Sequence, residues 1–140
     1  MKTRVLDSWA ILEWMSGRHP AVKVVASLLE EAEEGKARIL ISAINVGEVY
    51  YFSYKHHERA LAVSWRESCR TLPVTIEVPA MADIWSAASI KARFPIAYAD
   101  SFAAAFAQKH NCPLVTGGPE FRIVDQLELD WIGATEMAER

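Results

Sequence analysis

Two hydrophobic rhythms alternate along the chain. Short apolar runs such as Val5-Leu6, "RILIS", "TIEV" and "PLVT" recur between longer stretches whose apolar residues fall three and four positions apart. The short runs are bounded by turn residues and read as strands buried in a sheet. The longer stretches read as helices with one packed face.

After the first strand, "DSWAILEWMSG" sets Trp9, Ile11, Leu12, Trp14 and Met15 at helical spacing and stops at Gly17. "HPAVKVVASLLEEAEEG" opens with Pro20, tolerated in a first turn, and closes at Gly35, a helix C-cap. "ARILISA" is a strand, and Ser42 is placed to cap "AINVGEVYYFSYKHH", with Asn45 three residues on as the reciprocal partner. "ERALAVSWRESCRTL" continues as helix, and "PVTIEV" is a strand closed by Pro79. "AMADIWSAASIKARF" is helical up to Pro95, and "ADSFAAAFAQKHN" is a further helix. "CPLVTGG" is a strand running into a double glycine, with a last short strand in "LELDWIG". Strands alternating with helices predict an α/β sandwich around a mainly parallel sheet of about four to five short strands.

The length of 140 residues fits one domain, 1–140, and 51% hydrophobic residues supply its core. The net charge of −3 argues against holding nucleic acid by bulk charge, although metal ions could offset the acids locally. Cys69 and Cys112 form no CxxC pair and no zinc spacing with histidine, so they read as reduced, buried thiols of a cytosolic protein. No charged-then-apolar leader opens the chain and no apolar run approaches membrane-spanning length, so a soluble, cytoplasmic protein is expected. GxSxG, P-loop, GxGxxG and HxxxH patterns are all missing, which removes support for hydrolase triads, NTPases, dinucleotide enzymes and zinc proteases.

The acids carry the chemistry. In parallel sheets reactive groups gather where strand C-terminal ends meet helix N-termini. Asp7 follows the first strand directly. Glu48 lies in the second turn of a helix among Ile44, Val46, Val49, Tyr50, Tyr51 and Phe52, a costly setting for a lone charge. Asp100 heads a helix whose Ala103, Ala104 and Ala107 allow close approach to the sheet. Asp7 and Asp100 each have a plain alternative as helix caps. Glu13, Asp83, Asp125, Glu128 and Asp130 belong to solvated faces or helix first turns, and Lys91 either reaches a phosphate or is solvated. Crowded carboxylates raise one another's pKa unless a cation sits among them. Oxygen ligands suit Mg2+ or Mn2+, which can activate water against a phosphodiester.

The ordered set "VLDSWAIL", "INVGEVYY", "IAYADSFAAAFA" and "LVTGGPEF" resembles the PIN-domain family, and its size and "YADSFAAAFA" helix are most similar to VapC-type toxins of prokaryotic toxin–antitoxin pairs. The resemblance spans Val5 to about Trp131 and implies a PIN-like three-layer α/β/α sandwich. It implies a Mg2+- or Mn2+-dependent endoribonuclease in which Asp7 and Asp100 bind metal and Glu48 binds metal or positions a metal-bound water. Ser8 and Thr116 fall at small hydroxyl positions that line the pocket. RNA as substrate, a small antitoxin as partner and a homodimer are implied with them. Trp9, Trp14, Tyr51 and Phe52 serve either that partner or the core. The family often carries an acid two residues after the threonine, where this chain has Gly118. Either Glu120 bends back to replace it, or three acids suffice, or the site is weakened and the chain is an inactive binding module. A phosphotransfer protein using Asp7 as nucleophile is disfavoured, because Trp9 stands where the second aspartate of such phosphatases belongs.

Overall fold

A computed structural model describes residues 1–134, leaving 135–140 of the expected domain outside the described residues. Five parallel strands form the sheet in the order β3-β2-β1-β4-β5. They are β1 (Lys2–Leu6), β2 (Ala37–Ser42), β3 (Thr75–Glu77), β4 (Leu114–Thr116) and β5 (Leu129–Trp131). The register pairs Val5 with Leu40 on one side and Leu114 on the other, so β1 is the centre. The helices are α1 (Ser8–Met15), α2 (Ala21–Glu33), α3 (Ala43–His56), α4 (Arg59–Ser68), α5 (Met81–Arg93) and α6 (Tyr98–Lys109). The expected helices and strands are all present, and the sheet is wholly parallel.

Strand alternation divides the core in two. Val5, Leu40 and Leu114 pack with Phe102, Phe106, Ala87 and Ile90 of α6 and α5. Leu6, Ile39, Ile41 and Val115 point the other way, against Ile11, Val25, Leu28, Val49 and Trp65 of α1 to α4. Both faces are therefore covered, which is why Val5-Leu6 at the end of β1 and Ile39–Ile41 in β2 read as unbroken apolar runs. In α6, Ala103, Ala104 and Ala107 are buried, as close packing on the sheet requires. Gly17 and Gly35 follow α1 and α2 with φ of +68° and +76°, the left-handed conformation that ends helices.

The chain winds outward from β1 to β2 and β3, then returns to place β4 and β5 on the opposite side of β1. The crevice at the C-terminal ends of β1 and β4 is thus the topological switch point of the sheet, where open α/β folds bind ligands. Cys69 and Cys112 are free and buried. Among the described residues no helix is long and apolar enough to cross a membrane.

Candidate functional site: a carboxylate cluster at the β1–β4 crevice

Asp7 is the first residue after β1, and its two oxygens have separate tasks. Oδ1 accepts from the Ala10 N–H at 2.8 Å and caps α1. Oδ2 accepts from Thr116 Oγ1 at 2.5 Å, and Thr116 in turn accepts from the Gly118 N–H at 2.9 Å. The capping alternative therefore holds, but it uses only half of the side chain. Burial drives the Asp7 carboxyl up to about 7, against these hydrogen bonds and with help from the Glu120 and Glu48 charges.

Glu48 sits on α3 facing the same crevice. It is half-buried, with Tyr51, Phe52 and Ile44 exposed around that helix, so it does not emerge from a sealed apolar surface as the sequence suggested. The apolar residues of α3 run around more than one face, and spacing alone does not show which face meets the core. Glu48 Oε1 accepts from Ser8 Oγ. It also lies 3.3 Å from the Asn45 Nδ2 donor, which reaches the Ala99 carbonyl oxygen at 3.1 Å. Asn45 is thus not the reciprocal capping partner of Ser42. Ser42 caps α3 alone, accepting from the Ile44 N–H.

Asp100 lies in the first turn of α6. Burial raises it to about 8, followed by the charges of Glu120, Glu48 and Asp7 and a hydrogen bond shared with Glu120. Glu120 occupies a short 3-10 turn, Pro119–Ile123, that the sequence pattern did not indicate. Its carboxylate folds back over Gly118: a Cβ built on that glycine would lie 2.6 Å from Glu120 Oε1. The oxygen thus fills the space beside Gly118 that an acid there would need. Gly118 itself has φ −79°, so its backbone demands no glycine. Gly117 is different, because a Cβ there would overlap the Trp9 ring, which lies flat against it. Trp9 and Trp14 pack on the core, whereas Tyr51 and Phe52 remain exposed.

Asp7, Glu48, Asp100 and Glu120 therefore interact in one space, and the groups acting most strongly on Asp7 and Asp100 include no Lys, Arg or His. Such a donor set is all oxygen and suits a hard divalent cation. Among the described residues no three Asp, Glu, His or Cys side chains are close enough together to hold a metal ion as they stand. An ion such as Mg2+, which keeps several waters and takes one or two carboxylates directly, fits this open arrangement.

The other acids lie elsewhere. Asp83 is buried, accepting from the Ala80 N–H at 2.9 Å and pairing with Lys109 at 3.1 Å, which corrects the solvated alternative in favour of a helix first turn. Glu13 pairs with Arg18, Asp130 with Arg4 and Asp125 with Arg93. Lys91 is exposed, as a solvated lysine would be, and its Nζ donates one hydrogen bond to the Ile96 carbonyl oxygen at 2.6 Å. Asn45 is the site residue that sequence reasoning missed. The available signal was its position three residues before Glu48, one helical turn away on the same face.

An open parallel sheet with carboxylates gathered at its switch point puts the candidate site where α/β proteins of this class bind their ligands. The sequence profile of the PIN domain matches residues 4–127. The chain belongs to the PIN domain family. No curated protein sequence matches it. Its fold is similar to that of VapC20 from Mycobacterium tuberculosis, a sarcin–ricin loop cleaving toxin, with TM-score 0.73 and 15% identity over 90% of this chain and 98% of that one. It is also similar to DNA-bound VapBC from Salmonella typhimurium (TM-score 0.71, 16% identity, 93% and 98% covered). VapBC2 from Rickettsia felis, bound to a promoter DNA fragment, gives TM-score 0.68 at 16% identity, with 91% and 97% covered. These likenesses establish a shared fold.

Proposed function

We propose that this protein is a Mg2+- or Mn2+-dependent endoribonuclease and the toxin of a type II toxin–antitoxin pair, acting in the cytoplasm. The observation that carries the proposal is the set of four interacting carboxylates at the β1–β4 crevice, with no basic group among those acting most strongly on Asp7 and Asp100. Membership of the PIN family and the fold shared with a sarcin–ricin loop cleaving toxin support it.

In this proposal Asp7 and Asp100 would hold the ion, which when bound would supply water activation and charge stabilisation at the phosphodiester. Thr116 fixes Asp7 through its 2.5 Å hydrogen bond, and Ser8 holds Glu48 towards the crevice. Glu48 then orients water or adds a ligand. Glu120 contributes the carboxylate that Gly118 lacks, whereas the inactive-module alternative requires that it does not. The partner is a small antitoxin, as the fold shared with VapBC complexes suggests. A homodimer is part of the same proposal, and the exposed Val78, Met81 and Trp85 offer apolar surface for it.

The test is cleavage of RNA by the purified chain with Mn2+, with and without EDTA. Cleavage abolished by EDTA is expected; cleavage unaffected by EDTA, or none with any RNA offered, contradicts the proposal.

Glu120→Gln is expected to weaken Mn2+ binding about tenfold with little change in melting temperature, since the side chain is only half-buried. Gly118→Asp combined with Glu120→Ala should recover most of the loss, because the shortened side chain vacates the space that Glu120 Oε1 fills beside Gly118. Titration of Mn2+ into the three proteins checks this; wild-type affinity in Glu120→Gln would remove Glu120 from the site.

A further inference from the structure

Asn45 is fully buried where the segments bearing the acids meet. Its amide has two hydrogens to donate, and its nitrogen faces two acceptors, Glu48 Oε1 at 3.3 Å and the Ala99 carbonyl oxygen at 3.1 Å. Ala99 immediately precedes Asp100. One side chain therefore ties the carboxylate of α3 to the backbone that carries the carboxylate of α6. On the third side, Ser8 Oγ, next to Asp7 in the chain, lies 3.4 Å from the backbone carbonyl oxygen of Asn45.

The other half of the amide is bare. Asn45 Oδ1 is buried and has no hydrogen-bond partner among the described residues. Such an acceptor costs about 1–3 kcal/mol, and a leucine of similar volume would avoid that cost. The tie to the Ala99 carbonyl is one return for an asparagine here, and the hold on Glu48 is the other. The Glu48 charge repels those of Asp7 and Asp100, and its half-buried side chain has a route to solvent. Both described donors to Glu48, from Ser8 and Asn45, converge on Oε1, leaving Oε2 without a protein donor among the described residues.

We propose that Asn45 is a positioning residue for the divalent-cation site, holding Glu48 and the first turn of α6 in ion-binding register before any ion arrives. The inference rests on the metal-site reading of the same carboxylates. It places part of the cost of crowding them in folding, so that less is lost when the ion binds.

The experiment is Mn2+ titration of the full chain, followed by loss of the free-ion EPR signal, with melting in metal-free buffer alongside. Wild type is compared with Asn45→Ala, Asn45→Leu, Asp7→Asn and Trp65→Phe. Trp65→Phe removes the 3.0 Å bond from Trp65 Nε1 to the Val46 carbonyl, a tether of the same helix away from the acids. Both Asn45 variants are expected to bind Mn2+ about ten- to a hundredfold more weakly, with no greater loss of melting temperature than Trp65→Phe, which keeps wild-type affinity. Asn45→Leu decides the matter if the smaller alanine leaves a cavity that prevents folding.

Wild-type Mn2+ affinity in a folded Asn45 variant overturns the proposal. So does an equal loss of affinity in Trp65→Phe, or failure of both Asn45 variants to fold, since Asn45 would then serve the helix generally. If wild type binds no Mn2+, or Asp7→Asn binds it equally well, the metal-site reading itself fails and this inference falls with it.

Discussion

Exchanging Asp7 or Asp100 for asparagine is expected to cut RNA cleavage about a hundredfold or more, and to remove growth inhibition while leaving a folded protein. Each change keeps shape and deletes a charge. The amide of Asp7→Asn would still cap α1, because asparagine and aspartate are equivalent at an N-cap. Thr116 already accepts from Gly118 and can turn its hydroxyl to accommodate an amide in place of Asp7 Oδ2. Asp100 stands one turn before Ala103 and Ala104 on the same face of α6, at its crevice end, and asparagine keeps its shape there, so its exchange spares the core. Cleavage assays with circular dichroism on the same samples check the result. A folded variant cleaving at the wild-type rate would remove that residue from the site.

The metal-free protein should lose stability as pH rises from about 5 to 8, a range set by the Asp7 and Asp100 values of about 7 and 8. Both carboxyls titrate above their unfolded value of 3.8, so the folded chain binds protons more tightly than the unfolded one in this range. Their favourable contribution is complete below the unfolded value and is lost as pH rises through the folded values. For the fully buried Asp7 the rise corresponds to a few kcal/mol, or a fall in melting temperature on the order of 10 °C. Asp83, held low by the Ala80 N–H and then by Lys109, contributes in the opposite sense only at more acidic pH. Adding Mg2+ or Mn2+ at pH 8 should restore the melting temperature by binding the folded state, and Asp100→Asn should flatten the pH profile. Melting temperatures that rise from pH 5 to 8 without metal would contradict this account.

Much of this arrangement was legible in the chain because it rests on local rules. Val5-Leu6 of β1 and Ile39–Ile41 of β2 announce themselves as apolar runs since both sheet faces are covered there, and Asp7 stands out because it follows one of them directly. The alanines of α6 mark a closely packed helix. What was not legible depends on contacts between distant segments. The switch point follows from the return of β4 to the far side of β1, which no local pattern encodes. Tyr51 and Phe52 face solvent although their neighbours are apolar, because α3 is apolar on more sides than the core can cover. Asn45 reads locally as part of a cap, and only the approach of α6 turns it into a link between two acids. Glu120 stands past the Gly118 position in the chain, and reaches it because the 3-10 turn at Pro119 folds the side chain back.

The central claim is that these carboxylates hold one divalent site, and anomalous scattering from crystals of the protein grown with Mn2+ tests it most directly. The account predicts a manganese peak in the β1–β4 crevice, bounded by Asp7, Asp100, Glu48 and Glu120 and lost in Asp7→Asn crystals. Manganese bound only elsewhere, or a crevice without a peak at saturating Mn2+, would contradict it.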